Sequence, residues 1–260
     1  MPDLEPGAAV QVVGLDRTGM AVALALADAG AGVLGLWDPQ PVDHEDLGTG
    51  FTVADLGRPR AEAAERRLAD AAPHVRTYAH RGPHPLPLGA FTVDVGPLGG
   101  PDLAARALAA EHPVLAVRAE AGAAVVGPWT RPDSPGCLLC LAPDPGQDPA
   151  PGMAAVSAAR PAARAVDAQR AAVAVADLLT GASNLPPGQR LRLGPTGAAH
   201  LDRVIPRPGC ACRAAEDLAE DILDGGDLVG AAMPGTALLG EGAGVATDGL
   251  RPASDRGGVR

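Results

Sequence analysis

The sequence contains no lysine, so all 21 of its basic side chains are arginines. This absence excludes the Schiff-base lysine that pyridoxal phosphate needs and the phosphate-binding lysine of a Walker-type loop. Because the chain is also rich in alanine, a compositional bias in its coding sequence explains most of the missing lysines. Their absence is therefore only weak evidence of a lost function.

Basic residues are also outnumbered, since 31 acidic side chains give a formal net charge of -10. Nucleic acids and anionic membranes are bound by clustered cations, so we expect neither as a partner. No apolar run reaches the roughly 18 residues that a membrane-spanning helix needs. The first residues are acidic, unlike a secretory signal, and we therefore expect a cytoplasmic protein.

Aromatic residues make up only 2% of the chain, although hydrophobic residues make up 47%. The core must therefore be built from alanine, valine and leucine. The 34 glycines and 27 prolines follow no repeating period, which indicates short elements separated by many turns.

The order of apolar segments predicts an α/β fold. Residues 9–13 and 33–37 are short apolar strands, and a helix-forming segment at 18–29 lies between them. Further helices are predicted at 59–72, 102–111 and 154–179, and further strands at 75–78, 91–95 and 114–117. We expect a Rossmann-like, mostly parallel sheet with helices on both faces, extended by one or two antiparallel strands within 122–129 and a hairpin within 191–205.

The distribution of proline and glycine predicts the domain limits. We expect one domain over residues 1–213, with a proline-rich connector at 142–151 that cannot be regular structure. Residues 214–260 are rich in glycine, aspartate and alanine, and we expect a flexible tail there.

The turn after the first strand resembles a nucleotide-binding loop. It reads Gly14-Leu15-Asp16-Arg17-Thr18-Gly19, which is the G-x-G-x-x-G pattern with aspartate in place of the middle glycine. Asp38 ends the second strand, where such folds carry the acid that binds ribose. Asp16 would repel a phosphate but could cap the following helix, and Asp38 could be a solvated strand-end residue. Both alternatives stay open from the sequence.

The chain has four cysteines in two close pairs, Cys137 with Cys140 and Cys210 with Cys212. Each pair follows a Pro-Gly turn, and two such pairs are typical of a tetrahedral zinc site. Free thiols and two disulfides are the alternatives, the latter disfavoured by a reducing cytoplasm. Four thiolates leave no position open for water or substrate, so we predict a structural zinc ion.

Four motifs, taken in order, resemble the ThiF/MoeB superfamily of ubiquitin-activating-type adenylyltransferases, and particularly its divergent actinobacterial members. The motifs are Val13-Gly14 through Gly30, Trp37-Asp38-Pro39-Gln40-Pro41-Val42, Asp55-Leu56-Gly57-Arg58-Pro59-Arg60 through Ala64, and Pro135-Gly136-Cys137-Leu138-Leu139-Cys140 with the later cysteine pair. The resemblance covers residues 8 to 213. It implies a Rossmann-like fold, a homodimer, and structural zinc held by the two cysteine pairs.

The resemblance also implies an activity. Family members bind ATP and adenylate the C-terminal carboxylate of a peptide or a ubiquitin-like carrier protein. By position, Gly14 and Gly19 would belong to the nucleotide loop, Asp38 would bind ribose, and Arg60 would replace the lysine of the third motif. Together with Arg17 or Arg58, Arg60 could contact phosphate.

Two departures from the family's motifs argue against that activity. The family's arginine after the ribose acid is absent from residues 46–50, and its magnesium-binding aspartate is absent from residues 96–100. Asp94 and Asp102 are nearby substitutes that do not align cleanly, and no residue is assigned a catalytic role. Each loss removes charge stabilisation from a phosphate-rich transition state.

Two hypotheses follow. The first is an adenylyltransferase with degraded catalytic motifs, using ATP and magnesium to activate a peptide or carrier C-terminus. The second is a catalytically silent scaffold or peptide-binding partner in a biosynthetic pathway. A nicotinamide- or flavin-dependent oxidoreductase could use the same fold, but no hydride-transfer residues support it.

Overall fold

The computed structural model describes residues 5–48, 50–85, 89–96, 99–120, 122–132, 134–141 and 165–212. The predicted connector at 142–151 and the predicted tail at 214–260 lie outside these ranges. So does the part of the predicted 154–179 helix that precedes residue 165.

The described residues form eight strands and five α-helices. The strands are β1 (Ala9–Val13), β2 (Val33–Trp37), β3 (Arg76–Ala79), β4 (Phe91–Val95), β5 (Val114–Glu120), β6 (Ala123–Thr130), β7 (Gln189–Leu193) and β8 (Ala199–Arg203). The helices are α1 (Arg17–Asp28), α2 (Arg60–Ala71), α3 (Gly100–Ala109), α4 (Leu138–Leu141) and α5 (Ala165–Leu179). Two short 3-10 turns, His44–Asp46 and Val53–Asp55, lie between β2 and α2.

All eight strands belong to one sheet, in the order β3-β2-β1-β4-β5-β6-β7-β8. The first five strands of this order are parallel, and β6, β7 and β8 continue the sheet in antiparallel pairing. The predicted mostly parallel sheet with an antiparallel extension is therefore confirmed. Residues 122–129 contribute a single strand, and β5 is longer than predicted because its last residues, through Glu120, pair with β6.

Helices cover both faces of the sheet. Buried residues of α1, α2 and α5 share one hydrophobic cluster, whereas α3 and α4 contribute to separate clusters beside β5. Most of the buried side chains are alanine, valine and leucine, as the low aromatic content predicted. Phe91 and Trp129 meet edge to face in this core, with ring centroids 5.9 Å apart. No helix among the described residues is long and apolar enough to cross a membrane.

Asp55 joins the middle of α2 to the 3-10 turn that precedes the helix. Its side chain is fully buried and accepts hydrogen bonds from the Thr52 N–H (2.8 Å) and from the Arg67 Nε (2.8 Å), and it also pairs with Arg66. Burial alone would raise the pKa of Asp55, but these hydrogen bonds outweigh burial and lower the pKa to about 2. The ionised carboxylate therefore stabilises the folded state.

We expect Asp55→Asn to lower the free energy of unfolding by about 2 kcal/mol at neutral pH. Because the folded-state pKa lies below the ordinary value of 3.8, this contribution is present above pH 3.8 and is lost as the pH falls toward 2. Urea unfolding of both proteins across this range measures the difference, with Asp70→Asn on the exposed side of α2 as the control. A deficit of equal size at every pH would contradict the assignment.

Candidate functional site

The strand order places a crevice beside β1 and β4. In doubly wound sheets, ligands bind outside the carboxyl ends of the strands where the strand order reverses, which here is between these two strands. The loop from Gly14 to Arg17 follows β1, and Gly96 follows β4. The residues predicted for nucleotide binding follow β1 and β2 and are linked there through Asp38, which accepts a hydrogen bond from the Leu15 N–H and pairs with Arg60. Residues 97–98, which follow β4, lie outside the described residues.

Gly14 and Gly19 are required by close backbone packing. Gly14 has a φ of +82°, and a Cβ atom there would lie 2.0 Å from the Val95 carbonyl oxygen. A Cβ atom on Gly19 would lie 1.9 Å from the Gly14 carbonyl oxygen. Both glycines therefore let α1 and β4 approach the loop, and this explains their presence without a phosphate.

Asp16 caps α1. Its side chain accepts hydrogen bonds from the N–H groups of Thr18 (2.9 Å) and Gly19 (3.0 Å). These are the free N–H groups that would otherwise attract an anion to a helix N-terminus. Of the two alternatives left open by the sequence, the structure shows the capping role.

Asp38 is buried at the end of β2, so it is not a solvated strand-end residue. Its two carboxylate oxygens accept hydrogen bonds from the Leu15 N–H (2.8 Å) and the Gln40 N–H (2.9 Å). Only 1% of the residue is exposed. The carboxylate therefore joins β2 to the glycine loop.

Arg60 is bound by three carboxylates. Its guanidinium lies 2.7 Å from Asp46, 3.5 Å from Asp43 and 3.7 Å from Asp38. Asp43 caps the 3-10 turn that contains Asp46, so the turn presents its acids to the first residue of α2. The cation that the family resemblance assigns to phosphate contact thus has partners within the chain.

Arg17 is held by the same loop. Its Nη2 donates to the backbone carbonyls of Glu45 (2.6 Å) and Leu47 (3.2 Å). Arg17 and Arg60 together fasten residues 43–47 beside the glycine loop. Arg58, the third candidate cation, is exposed.

Burial disfavours the ionised forms of two acids at the crevice, Asp38 and Asp46. Burial raises the pKa of Asp38, and the N–H groups of Leu15 and Gln40 and the charge of Arg60 oppose this rise only in part. Burial likewise raises the pKa of Asp46 despite its hydrogen bond from Arg60. Backbone N–H groups and the guanidinium of Arg60 together favour the ionised forms of these carboxylates, and Arg60 is the cation that they share.

Asp94 is a partner of Arg118, a residue that the sequence analysis missed. Arg118 Nη2 donates to the Asp94 carboxylate at 2.7 Å, and Nη1 donates to the Asp94 carbonyl at 2.7 Å. Burial raises the pKa of Asp94, while Arg118 lowers it. An arginine within the otherwise apolar segment Val114 to Ala119 was the signal for a buried acid on the neighbouring strand. Asp102, the other substitute, is exposed in the first turn of α3.

The four cysteines meet at one point, where α4 and the segment after β8 come together. Their Sγ atoms all lie within 4.8 Å of one another, with separations of 3.9 Å (Cys137 to Cys140), 3.6 Å (Cys137 to Cys210) and 3.6 Å (Cys140 to Cys212). Ligands at about 2.3 Å from a tetrahedral metal lie about 3.8 Å apart, so the thiols fit such an ion. The cluster could therefore hold a metal.

The surroundings of the thiols also suit metal binding. The Arg207 N–H donates to Cys140 Sγ at 3.3 Å, which is the kind of hydrogen bond that orients a thiolate ligand. A hydrogen bond with Cys137 lowers the pKa of Cys212 to about 4, whereas burial raises the pKa of Cys210 to about 11. A cation would relieve the cost of ionising the remaining buried thiols.

We expect Arg60→Met to destabilise the protein by about 2–4 kcal/mol at neutral pH, because it leaves buried carboxylates without their cation. Asp38 and Asp46 have folded-state pKa values above the ordinary 3.8, so they take up protons in the folded state first as the pH falls. The deficit should therefore shrink between neutral pH and pH 4.

Denaturant midpoints of wild type and variant across this pH range measure the change. Arg60→Lys keeps the charge without the planar fork and should lose less than Arg60→Met. A deficit that grows on acidification would show that Arg60 does not compensate these acids.

Three comparisons relate the chain to known proteins. Residues 7–86 match the model of the ThiF family. No curated protein matches the chain. Among solved structures, the chain is similar to E. coli MccB with MccA-N7isoASN, at a TM-score of 0.64 and 20% identity, with 80% of this chain and 67% of that one covered.

Two further MccB structures are similar in the same way. The microcin C7 biosynthetic enzyme MccB in complex with N-formylated MccA gives a TM-score of 0.61 at 21% identity, over 79% of this chain and 67% of that one. E. coli MccB with ATP gives 0.62 at 20% identity, over 79% and 66%. The chain thus spans about two thirds of the length of the MccB chains.

At these identities the structural likeness establishes a shared fold, and the family match covers the strands, helices and glycine loop that form one side of the crevice. The resemblance predicted from the motifs is therefore confirmed over residues 7–86, which match the ThiF family, and the described residues share the fold of the MccB structures.

Proposed function

We propose that the protein is an adenylyltransferase-like protein that binds a peptide or small carrier protein, and that its own charged side chains keep ATP out of the crevice. The main support is the engagement of both crevice cations: Arg60 with three carboxylates and Arg17 with two backbone carbonyls. The protein would present its partner without adenylating it. MccB, which shares the fold, has been solved with N-formylated MccA, and this supports a peptide as the partner.

The charge balance of the crevice supports this proposal. Three carboxylates, from Asp38, Asp43 and Asp46, lie around the Arg60 guanidinium, and a fourth, from Asp16, is near enough to Asp38 to raise its pKa. A triphosphate would add negative charge to a region that is already net negative and partly buried, where repulsion is weakly screened. It would also have to displace Asp16 from the N-terminus of α1.

The two acids named as substitutes for the family's magnesium-binding aspartate do not favour ATP binding. Asp94 is fully buried and paired with Arg118, and Asp102 is exposed. Freeing Asp94 for a metal would leave the Arg118 guanidinium, whose side chain is 17% exposed, without its carboxylate.

A second candidate is ATP-dependent activation of the partner's C-terminal carboxylate. Asp38 stands at the end of β2, the place of the ribose acid, and MccB has been solved with ATP. In this alternative, Arg17, Arg58 or Arg60 would leave their present positions to bind phosphate, and magnesium would accompany the nucleotide.

Titration calorimetry with Mg-ATP separates the two candidates. We expect no saturable heat at millimolar nucleotide, and no difference between wild type and Asp38→Asn, which keeps the shape of the side chain. A charged hydrogen bond to ribose would make Asp38→Asn bind the nucleotide at least ~10-fold more weakly than wild type. Saturable binding with a loss of this size would contradict the proposal that the crevice excludes ATP. Pyrophosphate release with a bound peptide would establish the second candidate directly.

We also propose that the metal held by the four cysteines is zinc and that it is structural. Zinc favours tetrahedral thiolate sets, and two pairs on separate segments close its coordination sphere. The ion would supply a fixed crosslink between α4 and the segment that follows β8. No reaction step would pass through it.

Metal analysis should find about one zinc ion per chain, the number that one tetrathiolate site holds. Cys137→Ser with Cys210→Ser should lose the metal, because one ligand is removed from each pair. Chelation of wild type should lower its Tm, and added zinc should restore it. Full zinc content in the double variant would refute the ligand assignment.

A further inference from the structure

The antiparallel end of the sheet is less covered than its centre. No residue of β7 is fully buried and four of the five residues of β8 are exposed, whereas every residue of β4 is buried. On the face that α1, α2 and α5 cover, α5 is the last described helix, and it packs against β5 and β6. Within the described part of the chain, one face of the β7–β8 hairpin is therefore open beside α5.

The open face of the hairpin is apolar. Side chains alternate along a strand, so Leu191 and Leu193 share one face of β7, and Leu201 lies on the same face because it pairs with Leu191 in register. Leu201 is 53% exposed, and Val173 of α5 is 49% exposed. A groove of about 390 Å³, which we call the α5 groove, runs between α5 and β7 and is lined by both β7 leucines with Val166 and Val173. Exposed apolar surfaces of this kind mark interaction sites on soluble proteins.

The dimensions of the open face fit one helix. Neighbouring strands lie about 4.8 Å apart, so β7 and β8 together are about 10 Å wide, which is the diameter of an α-helix with its side chains. The five residues of β7 span about 17 Å, the length of about 11 helical residues. A strand added to the outer edge of β8 would leave the apolar side chains of this face uncovered, whereas a helix beside α5 would cover them.

The α5 side of the groove carries two charges among its apolar residues. One stripe along α5 lines the groove and consists of Val166, Arg170, Val173 and Asp177. These residues are three or four positions apart, as neighbours on one helix face are. Arg170 and Asp177 are seven residues, or about 10 Å, apart along the helix. A cation and an anion therefore lie on either side of Val173.

Both charges are accessible to a ligand. Arg170 Nη1 donates to Asp167 at 3.2 Å and Nη2 donates to the Pro195 carbonyl at 2.8 Å, while the Arg170 side chain is 28% exposed. A guanidinium has five N–H donors, so Arg170 can bind a further carboxylate. Asp177 is exposed, and among the residues that the structure describes its side chain has no hydrogen-bond or ion-pair partner. The groove is thus complementary to an apolar helix that carries an acid and a base seven residues apart.

We propose that the α5 groove is the docking site for an amphipathic helix of the partner peptide or carrier protein, whose apolar stripe packs between α5 and the β7–β8 hairpin. An acid of that helix binds Arg170, and a base seven residues away binds Asp177. Laying the apolar face of a helix into a groove is a recurring mode of peptide recognition. Docking here rests on the proposed function only in taking the partner to be a peptide or a small carrier protein. The residues involved are separate from the crevice, so helix docking and nucleotide binding are tested independently.

Two synthetic peptides test the docking site. Both form an amphipathic helix with a leucine stripe; the first carries a glutamate and a lysine seven residues apart beside the stripe, and the second carries glutamate at both positions. We expect the full-length wild type to bind the first peptide saturably, as measured by fluorescence anisotropy. Asp177→Arg makes both charges of the groove positive, so it should bind the first peptide at least ~10-fold more weakly than wild type does. The same variant should bind the second peptide as tightly as wild type binds the first.

Asp70→Arg on the exposed side of α2 is the matched control, because it makes the same charge change outside the α5 groove and should leave both affinities unchanged. Val173→Asp places a charge at the apolar centre of the groove and should weaken the binding of both peptides at least ~10-fold. Circular dichroism confirms that each variant is folded. The affinity that Asp177→Arg gains for the second peptide could not come from a misfolded protein.

A wild type that does not bind the first peptide would overturn the docking site, whether the groove is unused or another part of the chain fills it. Equal affinities of wild type and Asp177→Arg for each peptide would also overturn it. A dimer that Val173→Asp dissociates in sedimentation would assign the groove to a second copy, against the docking of a partner helix. Saturable binding of Mg-ATP would contradict the function proposed for the crevice but would leave these outcomes unchanged.

Discussion

The guanidinium of Arg60 is the contact on which the crevice depends. It stands at the first residue of α2 and reaches acids at the end of β2 and in the turn that follows, so one side chain joins a strand, a loop and a helix. Two of these acids, Asp38 and Asp46, are buried and have raised pKa values, and Arg60 is the cation that favours the ionised form of both, together with backbone N–H groups. The same guanidinium binds the loop that contains Asp43 and Asp46, so it is not free to bind a phosphate.

The structure contains two opposite uses of buried acids within a short stretch of chain. The hydrogen bonds to Asp55 lower its pKa by more than burial raises it, so the ionised carboxylate stabilises the fold. Burial raises the pKa of Asp38 and of Asp46 by more than their hydrogen bonds and Arg60 lower it, so the ionised forms of these two acids do not stabilise the fold. Perturbed pKa values are common at ligand-binding sites, and in this chain Arg60 already lies beside both acids.

Much of the fold could be predicted because the relevant signals are local. The strand, glycine turn, helix and strand at the N-terminus follow from apolar pattern and turn residues, and the cysteine pairs follow from spacing. The role of Asp16 could not be predicted, since a carboxylate in that loop fits a cap or a distorted phosphate site equally well until backbone positions are known. The partners of Arg60 and Arg118 depend on which strands are neighbours, and only tertiary structure supplies that information.

The cysteine cluster also defines a closed loop in the chain. A metal held by Cys137, Cys140, Cys210 and Cys212 would tie together the two ends of a segment that includes α5, β7 and β8. The entropy lost on closing a loop grows only with the logarithm of its length, so each doubling costs about 0.6 kcal/mol. A crosslink of this kind would therefore hold the antiparallel end of the sheet beside α4 at a cost that depends only weakly on the length of chain between the two cysteine pairs.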